Sequence, residues 1–376
     1  MIRTTQLNLS PEIIDLGVGQ PSPSLLPLPL VKEAADKLFA DSEGDFLAYG
    51  PEEGDGYFRR SLAGYLTSSY QSPVQSEQLF ITGGASQALD LICTLLTSSG
   101  DTIFCEDPTY FLSLKIFADH DLNVVGLPLD KQGLDVSALE KKLRFATPKF
   151  VYLIPTFHNP AGTTLSQERR TALVELAEKH GFCIVADEVY HLLSYGAPPP
   201  KPMAAWAQSR KVFSLGSFSK ILAPGMRLGW IQTDPVLWRH FAGRGLLQSG
   251  GGLSPFPSAV VKEAVDLGLL EKNRGILLET YGRRFRFLKS MVRKYLPQAE
   301  VFGNPDGGFF LWLKLDPGTD CERLLPLARE QGAGFIPGNR FSAHDSWPDF
   351  MRLSISYYTE PELETGIQRL AGLFGQ

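Results

Sequence analysis

Short apolar runs alternate with longer amphipathic stretches along the chain from about residue 79. The short runs are rich in β-branched and aromatic residues, which is typical of buried strands. The candidate strands are residues 79–82, 102–106, 123–127, 150–154, 183–186, 212–215 and 228–233.

The stretches between these runs have the periodicity of helices. Residues 86–97 place apolar side chains at helical spacing, and residues 166–180 begin at the cap-like Ser166 and end at Gly181. Strands that alternate with helices form βαβ units with parallel strands. The pattern therefore predicts an α/β fold with a mostly parallel, seven-stranded, doubly wound sheet.

The pattern changes after about residue 273. A long basic, amphipathic stretch covers residues 274–295, and short strand-like runs follow at residues 308–315 and 351–356. These runs favour a second, smaller α+β domain. The first forty-odd residues are rich in proline and cannot form a core alone, so we expect them to pack on the smaller unit. The predicted domains are a large one, residues 45–273, and a small discontinuous one, residues 1–44 with 274–376.

Composition and charge narrow the classes of function. The 376 residues are 43% hydrophobic and 20% charged, as in ordinary folded proteins. A net charge of −5 gives no general attraction to nucleic acid or anionic membranes. Because the sequence shows neither a spanning apolar run nor a signal-peptide pattern, we expect a cytoplasmic protein. The four cysteines lack C-x-x-C spacing, which indicates buried thiols rather than disulfides or metal ligands.

One motif carries most of the chemistry. Ser217-Phe218-Ser219-Lys220 follows a predicted strand, and Arg227 follows seven residues after the lysine. An amine can attack a carbonyl carbon, while hydroxyls and a guanidinium can hold phosphate oxygens. Ligands bind at the carboxyl ends of strands in such sheets. The motif therefore predicts a site for a covalently held, phosphate-bearing cofactor.

Four further patterns lie at predicted strand ends. Asp187 could hold a ring nitrogen protonated and Tyr190 could donate to a ring oxygen, although a helix cap followed by a packing tyrosine explains the pattern equally well. Asn159, in Asn-Pro-Ala-Gly, offers an amide, and the neighbouring His158 is interpreted as structural. Tyr110 could lie flat on an aromatic ring or belong to the core. The small residues at 83–86, which include Ala85 and Ser86, would let helix N–H groups approach a phosphate.

Together these patterns resemble the pyridoxal-phosphate-dependent aminotransferases of fold type I, class I/II, with the aspartate aminotransferase-like fold. The resemblance covers nearly the whole chain. It rests on the motifs Gly17-Val18-Gly19-Gln20-Pro21, Tyr49-Gly50-Pro51-Glu52-Glu53-Gly54, Gly84-Ala85-Ser86, Pro108-Thr109-Tyr110, Asn159-Pro160-Ala161-Gly162, Asp187-Glu188-Val189-Tyr190, Ser217-Phe218-Ser219-Lys220, Arg227 and Arg352. The motif sequences most resemble those of the broad-specificity aminoadipate, kynurenine and aromatic aminotransferases.

The resemblance implies a role for each residue that would touch the cofactor ring. Lys220 would hold pyridoxal 5'-phosphate covalently and move the proton at the substrate Cα. Asp187 would pair with the ring nitrogen, while Tyr190 and Asn159 would bind the phenolic oxygen. Tyr110 would stack on the ring.

The resemblance also implies a phosphate site, a substrate site and a dimer. Ser217, Arg227, Ala85 and Ser86 would hold the phosphate, with Tyr49 reaching in from a second subunit of a homodimer. Arg352 would clamp the substrate α-carboxylate, helped by Asn159 and by the backbone near Gly19. Small molecules are thus the expected partners, with no nucleic acid, membrane or metal.

The implied activity is transfer of an amino group from an L-α-amino acid to a 2-oxo acid by a ping-pong mechanism. The apolar residues 25–31 favour large apolar or aromatic side chains, and no arginine for reading an acidic side chain can be located. A β-eliminating C–S lyase or a decarboxylase on the same cofactor stays open, because the same ring-holding residues serve those reactions. A regulator using the site as a sensor is disfavoured by the negative charge. A nicotinamide dehydrogenase lacks its G-x-G-x-x-G signature.

Overall fold

The computed structural model describes residues 5–7 and 9–374. The strands are β1 (Ile14–Asp15), β2 (Leu79–Thr82), β3 (Thr102–Asp107), β4 (Asn123–Asp130), β5 (Gly133–Leu134), β6 (Phe150–Leu153), β7 (Cys183–Asp187), β8 (Val212–Ser217), β9 (Gly229–Gln232), β10 (Glu300–Val301), β11 (Phe310–Lys314), β12 (Ala333–Gly334), β13 (Ile336–Pro337) and β14 (Phe350–Ser354).

The helices alternate with these strands through the first two thirds of the chain. They are α1 (Leu28–Asp41), α2 (Gly56–Tyr70), α3 (Ala85–Leu96), α4 (Phe111–Asp119), α5 (Val136–Leu143), α6 (Gln167–His180), α7 (Pro235–Ala242), α8 (Gly245–Gly250), α9 (Pro255–Asp266), α10 (Leu269–Tyr295), α11 (Cys321–Glu330) and α12 (Glu360–Ala371).

Eight strands form the large central sheet, in the order β2-β9-β8-β7-β6-β3-β4-β5. Strands β8, β7, β6, β3 and β4 are parallel, whereas β9 runs antiparallel to both of its neighbours. All residues of β2, β6, β8 and β9 are buried, because helices cover both faces of such a sheet. The predicted α/β class and mostly parallel sheet are confirmed.

The seven predicted strands all occur, and the eighth strand is the short β5. It forms a hairpin with the end of β4, where Leu129 pairs with Leu134. Two residues are too few to show an alternating pattern, so the sequence did not indicate this strand. The predicted start of α6 is confirmed, because the Ser166 hydroxyl accepts from the Arg169 N–H at 3.4 Å and Gly181 ends the helix with a φ of 87°.

A smaller sheet forms from the C-terminal third of the chain, in the order β10-β11-β14-β13, with every pair antiparallel. A separate two-stranded pair joins the two ends of the chain, since β1 runs parallel to β12. The long helix α10 packs against α12 beside them. These pairings support the predicted small domain, whose boundaries stay a prediction.

The N-terminal residues divide between two surroundings. Strand β1 pairs within the C-terminal region, whereas α1 packs against α9, which lies in the range predicted for the large domain. The contact consists of Ala34 and Leu38 on α1 against Val260 and Ala264 on α9. The expectation that this whole segment packs on the smaller unit therefore holds for β1 but not for α1. Helix α1 differs because its apolar face packs against α9.

Two further sequence expectations can be compared with the structure. Three of the four cysteines are buried, as expected for thiols inside apolar runs, and Cys183 is half-buried. Among residues 5–7 and 9–374, none of the helices combines the length and the apolar content that crossing a bilayer requires. The cytoplasmic location stays a prediction.

Candidate active site

The carboxyl ends of four parallel strands bring the predicted site residues to one edge of the sheet. Tyr110 follows β3, Asn159 follows β6, Asp187 ends β7 and Ser217 ends β8, with Lys220 in the turn beyond. Neighbouring parallel strands end side by side, so residues far apart in sequence meet here. This edge is the candidate active site.

Lys220 occupies the centre of the site and is partly buried. Its Nζ donates to the carbonyl oxygen of Gly19 at 3.0 Å and lies 5.9 Å and 5.5 Å from the ring centres of Tyr190 and Phe309. Burial, assisted by Arg352, lowers the pKa of Lys220 to about 8. A sizeable fraction of the amine is therefore neutral and nucleophilic near neutral pH.

Asp187 is the last residue of β7 and is 8% exposed. Its Oδ2 accepts a hydrogen bond from the Tyr152 hydroxyl at 3.0 Å, and its Oδ1 accepts from the Val189 N–H at 3.4 Å. Burial raises the pKa of Asp187 to about 6, against the lowering effect of these two donors and of Lys220. The carboxyl group is thus ionised at neutral pH and ready to accept from a protonated ring nitrogen.

Two tyrosines flank this carboxyl group. Tyr190 is 4% exposed and packs edge-on against Phe309 and Phe310. Burial raises the pKa of Tyr190 well above its ordinary value and that of Tyr110 to about 12. Both phenols therefore stay protonated and can donate hydrogen bonds to a ligand.

The antiparallel strand β9 assembles a second part of the site. Gly229 at its start pairs with Thr82 on one side and with Ser217 on the other. This register places the loop after β2, the turn before β9 and the end of β8 together. Ser217 donates to the Ser219 hydroxyl at 3.0 Å and accepts from the Ser219 N–H at 3.1 Å. Ser219, to which the sequence assigned no role, thus fixes the Ser217 hydroxyl.

Helix α3 begins beside the Arg227 guanidinium. Gly84 has a φ of 106°, and a Cβ at this position would lie 3.0 Å from Nη2 of Arg227. A side chain at Gly84 would therefore fill the space between the guanidinium and the N–H groups of Ala85 and Ser86. Arg227 and Ser86 are exposed, whereas Ser217 is buried. An arrangement of this kind, here called the phosphate cradle, could hold a dianionic phosphate.

Arg352 lies on β14 and is 2% exposed. Its Nη1 donates to Asn159 Oδ1 at 2.8 Å and its Nη2 to the Gly17 carbonyl at 2.7 Å. The guanidinium lies 4.1 Å from the ring centre of Phe310, and its buried Nε has no partner among the described residues. Burial lowers the pKa of Arg352 to about 10, so the side chain remains a cation at neutral pH.

The segment around Gly19 is held over the site by Ser356. The Ser356 hydroxyl, which is fully buried, donates to the carbonyl oxygens of Val18 and Gln20 at 3.3 and 2.9 Å. The Ser356 carbonyl accepts from the Ser22 N–H at 3.2 Å. Gly19 and Gly17 can therefore offer their carbonyls to Lys220 and Arg352 from a fixed backbone.

A buried pair supports the loop that carries Asn159. His158 Nε2 lies 3.0 Å from Glu106 Oε2, and Nδ1 of the same ring accepts from the Ala161 N–H at 3.1 Å. Glu106 also accepts from the Ile154 N–H at 2.7 Å. This geometry agrees with the structural interpretation of His158, while the part played by Glu106 was missed.

Tyr49, a further predicted site residue, is 87% exposed. The sequence missed Tyr152 and Phe310 because both stand in apolar strands and are typical core residues. The sequence signal that could have identified Tyr152 is its phenol hydroxyl, because a tyrosine in a buried strand needs a hydrogen-bond partner. For Phe310 no comparable signal exists.

The residues present fit pyridoxal phosphate. An amine of lowered pKa, a buried carboxylate and protonated phenols lie at one edge of the sheet, and the space that Gly84 leaves open beside Arg227 suits a phosphate. This combination on a large, mostly parallel sheet with a smaller α+β part defines the fold type I pyridoxal-phosphate enzymes.

Comparison with known proteins identifies the family. The model of the family "Aminotransferase class I and II" matches residues 11–370. The aromatic-amino-acid aminotransferase 1 of Thermococcus litoralis is 34% identical over 367 residues, which cover 96% of this chain and 87% of the relative. The chain belongs to the class I and II aminotransferases and is a transaminase whose cofactor is pyridoxal 5'-phosphate.

Solved structures show the same relationship. The kynurenine aminotransferase of Pyrococcus horikoshii, solved with PMP, is 33% identical, with a TM-score of 0.90 and coverage of 96% of this chain and 90% of that one. LysN of Thermus thermophilus, an α-aminoadipate aminotransferase complexed with N-(5'-phosphopyridoxyl)-L-leucine, is 26% identical, with a TM-score of 0.87 and coverage of 96% and 92%.

Proposed function

We propose that this transaminase moves the amino group of large apolar, aromatic or aminoadipate-type L-α-amino acids to a 2-oxo acid by a ping-pong mechanism. The observation that carries the proposal is that Lys220 and Arg352 bind carbonyl groups only two residues apart, those of Gly19 and Gly17. A carboxylate held at Arg352 therefore brings the α-carbon of an amino acid close to the lysine amine.

Each residue near the cofactor ring has a proposed task. Bound pyridoxal phosphate supplies an electron-withdrawing ring that acidifies the substrate Cα–H and carries the amino group between substrates. Lys220 holds the cofactor covalently and then moves the proton at Cα. Asp187 accepts from the ring nitrogen, Tyr190 and Asn159 donate to the ring oxygen, and Tyr110 covers one ring face.

Arg352 would fix the α-carboxylate of the substrate, and the phosphate cradle would fix the phosphate of the cofactor. Three aromatic rings, of Phe111, Phe310 and Phe341, lie within 5.9 Å of the Arg352 guanidinium and exclude water from it. A bidentate contact with a carboxylate is strong in such surroundings. Ser217, Arg227 and the start of α3 would hold the phosphate. Family resemblance and this geometry both support these assignments.

The specificity proposal rests on the segment that follows Gly19, whose carbonyl accepts from Lys220. Residues 19–31 contain no lysine, arginine or histidine, so this part of the subunit offers no partner to a side-chain carboxylate. Its leucines and prolines favour apolar contact. The names of two relatives, an aromatic-amino-acid and a kynurenine aminotransferase, point in the same direction. A third relative is a 2-aminoadipate transaminase, whose substrate carries a side-chain carboxylate that would need a partner outside this segment.

A spectral screen tests reaction and specificity together. The loaded enzyme would be mixed with single amino acids and no acceptor, while the cofactor absorbance and the released 2-oxo acid are measured. We expect phenylalanine, tyrosine, leucine and 2-aminoadipate to change the spectrum and release about one equivalent of oxo acid per subunit, as a ping-pong half-reaction requires. Aspartate reacting as fast as phenylalanine would contradict the specificity. Ammonia and pyruvate from a cysteine conjugate would indicate the lyase instead.

We also propose a homodimer in which Tyr49 completes the phosphate site of the partner subunit. Tyr49 and Tyr57 are 87% and 68% exposed and line a groove of about 620 Å³ that also includes Phe46 and Leu253. Exposed aromatic side chains of this size are unusual on a monomer and typical of interfaces. The proposed domains are residues 45–273 and residues 1–44 with 274–376, with α1 of the second packed against α9 of the first.

Subunit mixing tests the position of Tyr49. Lys220→Ala and Tyr49→Ala chains are each expected to be impaired, the first fully. In a mixed dimer, the site that keeps Lys220 receives Tyr49 from its partner and is intact. Random mixing should therefore restore about a quarter of the wild-type activity, because half of the dimers carry one good site of two. If mixing restores nothing and the mixed dimer is shown by mass spectrometry, Tyr49 acts within its own chain.

A further inference from the structure

A buried phenol on the neighbouring strand contacts the Asp187 carboxyl group. Tyr152 lies in β6, is fully buried and is the one polar side chain of that strand. The register pairs Leu153 of β6 with Ala186 of β7, so Tyr152 and Asp187 lie at adjacent strand ends. Its hydroxyl donates to Asp187 Oδ2 at 3.0 Å. The aromatic core alone would be satisfied by phenylalanine.

Tyr152 can act only as a donor in this contact. Burial, followed by the charge of Asp187, raises the pKa of Tyr152 well above its ordinary value, so the phenol keeps its proton. The carboxyl oxygen must then accept. With Oδ2 engaged in this way, the one donor to Oδ1 among the described residues is the Val189 N–H at a long 3.4 Å, which leaves Oδ1 able to accept from a ligand.

The other groups around Asp187 act differently. Lys220 attracts the carboxylate and lowers its pKa, whereas Glu188 repels it and raises the pKa. The Glu188 carboxylate is turned away, since it accepts from the Met203 N–H at 2.9 Å and from the Ser214 hydroxyl at 2.5 Å. The charge of Asp187 also helps to raise the pKa values of Tyr110 and Tyr190, and both phenols are neutral. Tyr152 is thus the neutral side-chain donor bound directly to the carboxyl group.

We propose that Tyr152 is a positioning residue that keeps Asp187 ionised and turns its Oδ1 toward the ring nitrogen of the cofactor. The inference rests on the proposed role of Asp187 at that nitrogen. Tyr152 does not touch the reacting atoms. It acts through the carboxyl group, by stabilising its charge and fixing its rotation.

The direction of the expected pH effect follows from the hydrogen bond. A donor to the carboxylate lowers the pKa of Asp187, and the Tyr152→Phe change removes that donor while keeping the ring. The pKa should therefore rise above its wild-type value of about 6. Since a hydrogen bond to a charged group changes an equilibrium by about tenfold, the rise should be about one pH unit.

The first experiment uses the protein without cofactor. Infrared spectra would be recorded between pH 4.5 and 9, and the carboxylic-acid band of Asp187 identified by its loss in Asp187→Asn. We expect a midpoint near pH 6 in the wild type and about one unit higher in Tyr152→Phe. Tyr281→Phe is the matched control, because it removes a buried hydroxyl that has no partner among the described residues. An unchanged midpoint in a folded Tyr152→Phe protein would overturn the inference.

The second experiment measures the dissociation constant of pyridoxal phosphate across the same pH range. In Tyr152→Phe, affinity should fall by about tenfold below pH 6 and by much less at pH 8, because the loss tracks the protonation of Asp187. An equal loss at every pH would indicate a purely structural role and contradict the proposal. If Asp187→Asn binds the cofactor like the wild type, the role of Asp187 fails, whereas the infrared midpoint still decides whether Tyr152 controls its charge.

Discussion

Replacing Lys220 by alanine is expected to lower the transamination rate by about 10⁴-fold or more, since the variant loses both the covalent holder and the proton carrier. The phosphate cradle of Ser217, Arg227 and α3 does not involve the lysine side chain, so the variant should still bind the cofactor. Turnover with phenylalanine and 2-oxoglutarate measures the loss. Mass spectrometry after borohydride reduction should find the cofactor attached to the peptide containing Lys220 in the wild type, and to no peptide of the variant.

Lys211 provides the control for this experiment. It stands at the opposite end of β8, where its Nζ donates to the Gly181 carbonyl at 3.2 Å, far along the strand from the site. Lys211→Ala should keep both turnover and the labelled peptide. A Lys220→Ala protein that retained turnover would refute the role of the lysine.

Replacing Arg352 by alanine is expected to reduce kcat/KM for α-amino acids by about a thousandfold, because a buried, doubly hydrogen-bonded contact to a carboxylate is lost. Arg352→Lys keeps a cation but loses the planar fork, so it should recover only part of the activity. The loss should be confined to substrates that carry an α-carboxylate. Comparing phenylalanine with phenethylamine, which lacks the carboxylate, measures this selectivity.

A surface arginine separates this effect from a general change of charge. The Arg323 side chain is 88% exposed on α11, and Arg323→Ala should leave the preference for phenylalanine over phenethylamine unchanged. If Arg352→Ala kept that preference while both rates fell, the residue would be acting on folding rather than on the carboxylate. Thermal unfolding of each variant would show such a defect.

The central sheet was predictable because most of its strands are largely buried and form continuous apolar runs in the sequence. The same pattern places Tyr110, Asn159, Asp187 and Lys220 after strands that a parallel sheet brings together. Their meeting at one edge therefore follows from local sequence and one topological rule. Their individual roles stay predictions until they are tested.

Other features depend on tertiary contacts that local sequence does not carry. The hydrogen bond between Tyr152 and Asp187 joins residues 35 positions apart, and in sequence Tyr152 is indistinguishable from a core aromatic residue. The bond between Arg352 and Asn159 spans 193 positions. The position of α1 against α9 depends on which apolar face finds a partner, and the composition of residues 28–41 favours neither neighbour.

The contacts of Gly17 and Gly19 have a consequence for the order of biosynthesis. Gly17 accepts from Arg352, 335 positions later, and β1 pairs with β12 more than 300 positions later. During translation the segment around Gly17 therefore lacks these partners until the segments around β12 and Arg352 have emerged from the ribosome. The central sheet can fold earlier as a unit, since its strands end by residue 232. A nascent chain stalled before residue 333 should thus carry a formed sheet with an unpaired leading segment, which a protease added to the stalled complex would remove first.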